Sequence, residues 1–112
     1  LFRGSNAVGY SNYPDHVVAG FVKHAAASGM DIFRIFDALN DSRNLEMAIK
    51  SVKKYGGHAQ GTISYTYSPV HTVEKFVTLA KEQASMGVDT ICIKDMAGIL
   101  TPAAAKELIS AL

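Results

Sequence analysis

The chain has little that would mark it as secreted, membrane-embedded or nucleic-acid-binding. Across 112 residues it has one cysteine, Cys92, no tryptophan and three prolines. A lone thiol cannot close an intrachain disulfide, and the flanking Ile91 and Ile93 read as the setting of an ordinary buried thiol, so a reducing, cytoplasmic compartment is expected. No stretch approaches the roughly 18 uninterrupted apolar residues of a spanning helix, and no basic-then-apolar leader opens the sequence. Charge of one sign is lacking too. Eleven basic against ten acidic side chains leave a formal charge of +1, with no like-charged run to track phosphates or grip an anionic bilayer. Nucleic acid and direct membrane insertion are thus not expected. With 48% apolar and 19% charged residues, the chain is too apolar for a linker and too short for two domains. It opens without Met on Leu1-Phe2-Arg3, which reads like a strand, and is expected to be part of a larger protein.

Glycines punctuate what is there, because a glycine just past an amphipathic run is a common helix stop. Pro14–Ser28 carries Val17, Val18, Phe21, Val22 and Ala25 at helical spacing and stops at Gly29. Ser42–Tyr55, capped by Asp41 or Asn40, places Leu45, Ala48, Ile49 and Val52 on one face and stops at Gly56-Gly57. Thr72–Met86 aligns Val73, Phe76, Val77 and Ala80, sets Glu74 near its positive end and stops at Gly87. A fourth helix starts at Thr101 with Pro102 in its first position. Between them lie short apolar or β-branched runs at Ile32–Phe36, Gly61–Tyr65 and Thr90–Lys94, preceded by a stub at Leu1–Gly4. The segments Gly29–Asp37 and Gly87–Asp95 align position for position. The unit is a strand followed by a helix, about 30 residues long, as parallel strands with crossover helices require.

Such units build either an open doubly wound sheet or a closed barrel of eight. Every strand here ends in polar or ionisable groups: Arg3, Asp37, Tyr65 with Thr66, and Lys94 with Asp95. A barrel gathers such ends around one mouth, whereas an open sheet concentrates its ligand contacts at one crevice, so the α/β fold expected is a segment of a (β/α)8 TIM barrel.

Lys94 is the most informative residue. It shares a strand face with Cys92, at the end of a strand expected to be buried, where an isolated ammonium is costly. It must pair with Asp95 or Asp37, deprotonate, or be modified, for instance to an anionic carbamate. Arg3 precedes the loop Gly4-Ser5-Asn6-Ala7-Val8-Gly9-Tyr10. The absence of a following Lys-Ser or Lys-Thr rules out a phosphate-binding P-loop. A guanidinium there suits bidentate capture of a carboxylate, or forms a surface ion pair. Arg34 is expected to face inward and to brace the barrel through carboxylates of neighbouring strands. For Asp37, orienting Arg34, capping the following loop and binding substrate all remain open, with a structural role favoured. Of the four histidines, His16, His24 and His58 read as surface or structural groups and His71 as a loop brace. Met47, Met86 and Met96 read as core packing.

Taken together, Arg3–Tyr10, Phe33-Arg34-Ile35-Phe36-Asp37 and Lys94-Asp95-Met96-Ala97-Gly98 resemble the carboxyltransferase domain of biotin-dependent enzymes, across essentially the whole of residues 1–112. The relatives are pyruvate carboxylase with its separate B subunit, the oxaloacetate decarboxylase alpha subunit and the transcarboxylase 5S subunit. Tyr65-Thr66-Tyr67-Ser68-Pro69-Val70-His71-Thr72 looks like the decarboxylase, transcarboxylase and B-subunit branch, while Asn12-Tyr13-Pro14-Asp15 looks like pyruvate carboxylase proper. The resemblance implies a barrel segment from about the third strand to the sixth helix. It also implies carboxyl transfer between carboxybiotin and pyruvate or oxaloacetate through a metal-stabilised enolate. By the same resemblance Lys94 is carbamylated and ligates a divalent metal, zinc or manganese, with an aspartate and two histidines outside this chain. Arg3 holds the keto-acid carboxylate, Tyr10 lines the site near biotin, and a proton-carrying threonine lies C-terminal to this segment. A biotin carrier domain or subunit and homo-oligomerisation of the full-length protein are implied as well. The rival readings are a metal-dependent acyl-CoA lyase or Claisen-synthase barrel without biotin, and a purely structural segment.

Overall fold

A computed structural model describes residues 1–112. Three parallel strands, β1 (Ile32–Ile35), β2 (His58–Ser64) and β3 (Thr90–Lys94), lie side by side in chain order. They alternate with four helices: α1 (Asp15–Ala27), α2 (Glu46–Lys54), α3 (Val73–Ser85) and α4 (Pro102–Ala111). The register pairs Ile35 with Gly61 and Ser64 with Lys94. Caps fix the helix starts. The Thr72 hydroxyl accepts from the Lys75 N–H and that of Thr101 from the Ala104 N–H, while Pro102 occupies the first turn of α4. Stops follow the glycines, with φ of 99° at Gly29 and 93° at Gly87, the two aligned ends of the repeat. No helix is long and apolar enough to cross a membrane.

Strand alternation sorts side chains between two faces. Phe33, Ile35, Ala59 and Ile63 face the helices and are buried. With Val18, Val22, Leu45, Ile49 and Val52, the first three of these form the larger core; Ile63, Phe76, Leu79 and Leu108 form a smaller one beneath α3 and α4. Ile32 and Arg34 occupy the opposite face and are exposed. In a (β/α)8 barrel that face is the interior.

Several boundaries differ from the sequence expectation. The stub at Leu1–Gly4 is no strand: Phe2 alone bridges to Ile35, and a 3₁₀ turn follows at Gly4–Asn6. β2 begins at His58 rather than Gly61, because the polar heads of His58 and Gln60 alternate with Ala59 and Gly61 and bond along the inner face. No apolar run announces such a strand. The second helix opens with a 3₁₀ turn at Ser42–Asn44 capped by the Asp41 carboxylate. Met96, expected in the core, is exposed, whereas Met47 and Met86 pack against it. Cys92 and Lys94 are only partly buried, since β3 is an edge strand in this chain.

Candidate active site at the strand ends

The chain folds its first loop back on itself. The Arg3 N–H donates to Ala7 O at 2.7 Å and the Ala7 N–H to Gly4 O at 3.0 Å. This turn carries Gly9 and Tyr10 over the Arg3 guanidinium. Arg3 Nη1 donates to Gly9 O at 3.3 Å, and Arg3 Cζ lies 4.5 Å from the centre of the Tyr10 ring. Gly4 makes the turn possible. Its φ is 54° and it is wedged against the Asn44 backbone, where no side chain fits.

Phe36, at the end of β1, joins this loop to Lys94. Its N–H donates to Phe2 O at 2.9 Å and its side chain is 6% exposed. Arg3 Cζ lies 5.7 Å and Lys94 Nζ 5.1 Å from the centre of that one ring. The three residues singled out in the sequence, Arg3, Tyr10 and Lys94, are thus brought to a single locus at the strand ends. Sequence reasoning missed Phe36 as a site residue, although the internal repeat aligns it with Lys94.

Neither cation is neutralised. The three ion pairs in the chain are Asp41–Arg43, Glu46–Lys50 and Lys53–Asp89, so Lys94 pairs with neither Asp95 nor Asp37 and Arg3 forms no surface pair. The nearby carboxylates serve backbone instead. Asp37 accepts from the N–H groups of Leu39 (2.9 Å) and Asp41 (3.0 Å) and from Asn44 Nδ2 (2.8 Å). Of its three possible roles, capping the loop is the one seen. Asp95 accepts from the N–H groups of Leu100 (2.8 Å) and Ile99 (3.1 Å), bonds that hold its carboxyl below the usual carboxylate range.

Two asparagines tie the loops together, and sequence reasoning gave neither that role. Asn40, at φ 56°, accepts from the Ser64 N–H at 2.8 Å and donates to Ser64 O at 2.9 Å, clasping the end of β2. Asn44 bonds Asp37 and, more loosely, Asn6. Only the ability of asparagine to adopt a left-handed conformation points to Asn40.

Arg34 faces inward as expected, but its partner is an amide rather than a carboxylate. Arg34 Nε donates to Gln60 Oε1 at 2.6 Å, Gln60 Nε2 donates to Thr90 Oγ1 at 3.2 Å, and His58 Nε2 is hydrogen-bonded to that hydroxyl at 2.9 Å. His71 braces its loop through Ser68 Oγ at 2.7 Å and stacks on Phe76. A separate apolar cleft of about 600 Å³ lies between α3 and α4, lined by Tyr65, Tyr67, Phe76 and Leu108 among others, and contains neither Arg3 nor Lys94.

No set of three His, Cys, Asp or Glu side chains in the chain could hold a metal ion. Lys94, unpaired at the strand ends, fits one donor position of such a site once carbamylated, and nothing else in the chain completes it.

No protein-family model matches the chain. It is 59% identical, over all of its length, to the pyruvate carboxylase B subunit of Methanocaldococcus jannaschii, covering 20% of that protein. It is 54% identical, again over its whole length, to the methylmalonyl-CoA carboxyltransferase 5S subunit of Propionibacterium freudenreichii, covering 22% of it. Among solved structures, the carboxyl transferase domain of Rhizobium etli pyruvate carboxylase with pyruvate superposes at a TM-score of 0.98, with 42% identity over the full chain and 20% of that domain's chain. The chain spans about a fifth of the length of these two curated relatives and 10% of the pyruvate carboxylase of Staphylococcus aureus.

Proposed function

We propose, since this chain is homologous to a segment of the carboxyltransferase domain of biotin-dependent enzymes, that residues 1–112 are part of such a TIM-barrel domain. The protein containing them moves a carboxyl group between biotin on a carrier domain or subunit and pyruvate, or removes it from oxaloacetate in the reverse direction. The observation that carries this reading is the convergence of Arg3 and Lys94, neither of them ion-paired, on one buried ring at the strand ends, with the exposed Tyr10 over the Arg3 guanidinium.

Each residue's proposed task is the one the family resemblance implies, and its chemistry suits it. Arg3 offers a planar fork of donors and would hold the keto-acid carboxylate through paired hydrogen bonds. Fixing that end of pyruvate sets the methyl carbon against the incoming carboxyl group, and such positioning is worth several powers of ten in rate. Tyr10, 90% exposed and stacked on Arg3, would cover the outer side of the site and meet the biotin ring. Lys94, carbamylated, would be this chain's one ligand to a divalent metal, zinc or manganese. Carbamylation would turn a cation that repels the metal into an anion that attracts it. When bound, the metal lowers the energy of negative charge developing on the keto oxygen after a methyl proton is lost, and the biotin carrier supplies or takes up the carboxyl group. Asp37 and Asp95, engaged by backbone N–H groups, leave Arg3 free for an anionic substrate and the Lys94 amine free for carbamylation.

The test uses the full-length protein. Lys94→Ala is expected to lose both bound metal and carboxyl transfer, and Lys94→Glu to keep part of the metal. Full metal content in the alanine variant overturns the assignment. The 112-residue chain by itself is expected to bind metal weakly and to show no turnover, and robust keto-acid decarboxylation by it would contradict the need for outside ligands.

A further inference from the structure

We propose that Phe36 is a positioning residue for keto-acid recognition, acting through Arg3; this rests on the functional reading above. Two rings lie within cation–π range of the Arg3 guanidinium, and they differ in how firmly they are held. Tyr10 is 90% exposed at the end of a glycine-bounded loop. Phe36 is 6% exposed, and its backbone is tied into the parallel pairing by the bond from its N–H to Phe2 O. The fixed reference for the guanidinium plane is therefore Phe36.

The same ring lies 5.1 Å from Lys94 Nζ and 5.7 Å from Arg3 Cζ. The negative face of the aromatic ring attracts the Arg3 guanidinium without occupying its hydrogen-bond donors, whereas a carboxylate would compete with the substrate for Arg3. An aromatic ring thus orients the guanidinium and leaves its donors free, whether or not Lys94 is carbamylated. An aliphatic side chain of similar size would fill the space and supply none of this attraction. Ser64, on the neighbouring strand and paired in register with Lys94, turns its hydroxyl to Asp37 O at 3.0 Å. It offers Lys94 no competing interaction across the strand ends.

The test separates the electrostatics of the ring from its packing. In the full-length protein, Phe36 is replaced by phenylalanines carrying one, two or three ring fluorines, which nearly keep the shape while draining the negative face, and separately by leucine. Binding of oxamate, an isostere of pyruvate that cannot form an enolate, is measured by calorimetry beside KM and kcat for pyruvate and the melting temperature. Oxamate affinity is expected to fall stepwise with each fluorine and about tenfold in Phe36→Leu. KM should rise in parallel while kcat and melting temperature change far less. An affinity flat across the fluorinated series overturns the proposal, as does a loss seen only in step with a lowered melting temperature. Arg3→Ala tells the two failures apart. If it abolishes oxamate binding while the fluorinated series is flat, the functional reading stands and the role of Phe36 falls. If it leaves oxamate binding intact, Arg3 is not the carboxylate site and both readings fall.

Discussion

Replacing Gly4 by alanine tests whether the loop carrying Arg3 is built as described. Gly4 has φ 54°, a left-handed conformation that costs an L-residue about 1–2 kcal/mol. A β-carbon there would also lie 3.1 Å from the Asn44 carbonyl carbon and 3.3 Å from Asn44 Nδ2, and would collide with the carbonyl oxygen itself. That oxygen is backbone and cannot swing aside as a side-chain tip can. Asn44 is further held by its 2.8 Å bond to Asp37. The loop must therefore shift by roughly 1 Å to regain ordinary contact distances, and overpacking of this kind costs about 1–3 kcal/mol. Together the two effects destabilise the full-length protein by about 2–5 kcal/mol, read as a lowered urea midpoint at unchanged slope. Because Arg3 is the adjacent residue, a shift of about 1 Å should also cost on the order of a hundredfold in kcat/KM for pyruvate. Gly4→Asn separates the contributions, since asparagine tolerates the dihedral but not the collision and should remain impaired. Wild-type stability and activity in Gly4→Ala would refute the wedge between Gly4 and Asn44, and with it this account of how Arg3 is held.

Gly20 is the opposite case: it lies inside α1, where a β-carbon would meet nothing within 4 Å, so Gly20→Ala should stabilise by about 0.5–1 kcal/mol in urea unfolding. Asn40→Ala strips the Ser64 N–H and C=O of their partners. It should cost about 2–4 kcal/mol by the same measurement, and Asn40→Gly, which relieves alanine's penalty at φ 56°, should recover only part of it, because the hydrogen bonds are still lost. Asp89 is held below its ordinary value of 3.8 by its bonds from Lys53 Nζ and the Ala59 N–H. A depressed carboxylate stabilises the fold above the unfolded value and loses that contribution as pH falls through the folded one. The difference in urea midpoint between wild type and Asp89→Asn should therefore be present at neutral pH and shrink as the pH is taken below about 3.8. A difference that persists undiminished in acid would assign the effect to shape rather than charge.

Much of the scaffold is legible in the sequence because it obeys local rules. Gly29 and Gly87 stop helices, Thr72 and Thr101 start them, and Thr90–Lys94 is an apolar β-branched run that forms the strand it announces. What is not legible depends on partners distant in sequence. β2 starts at His58 because its polar side chains find Thr90 and, through Gln60, Arg34 on adjacent strands, and no window of local sequence contains those partners. Arg34 is expected to seek carboxylates because a guanidinium usually does. Here it takes the amide of Gln60, its register partner on the adjacent strand. The expectation that Lys94 is buried presumes a central strand, and within this chain β3 has one unpaired edge.

The internal repeat explains why the site is composite. Gly29–Asp37 and Gly87–Asp95 share their backbone: a left-handed glycine, a strand starting three residues on, and a closing aspartate whose oxygens accept backbone N–H groups of the next loop. What differs at the mouth is the residue just before that aspartate, phenylalanine in one copy and lysine in the other. Units around a barrel aim equivalent positions at a common mouth, and these two copies are separated by the one that contains β2. Exchanging that one residue between copies of the unit therefore places a ring and an amine face to face, 5.1 Å apart. The aspartates, held by their own loops, do not pair with the amine, so the same repeat that supplies the amine leaves it open to the modification proposed above. The unpaired Arg3 guanidinium is the group at this mouth that calls for an anionic ligand, which is what the proposed keto-acid site requires of it.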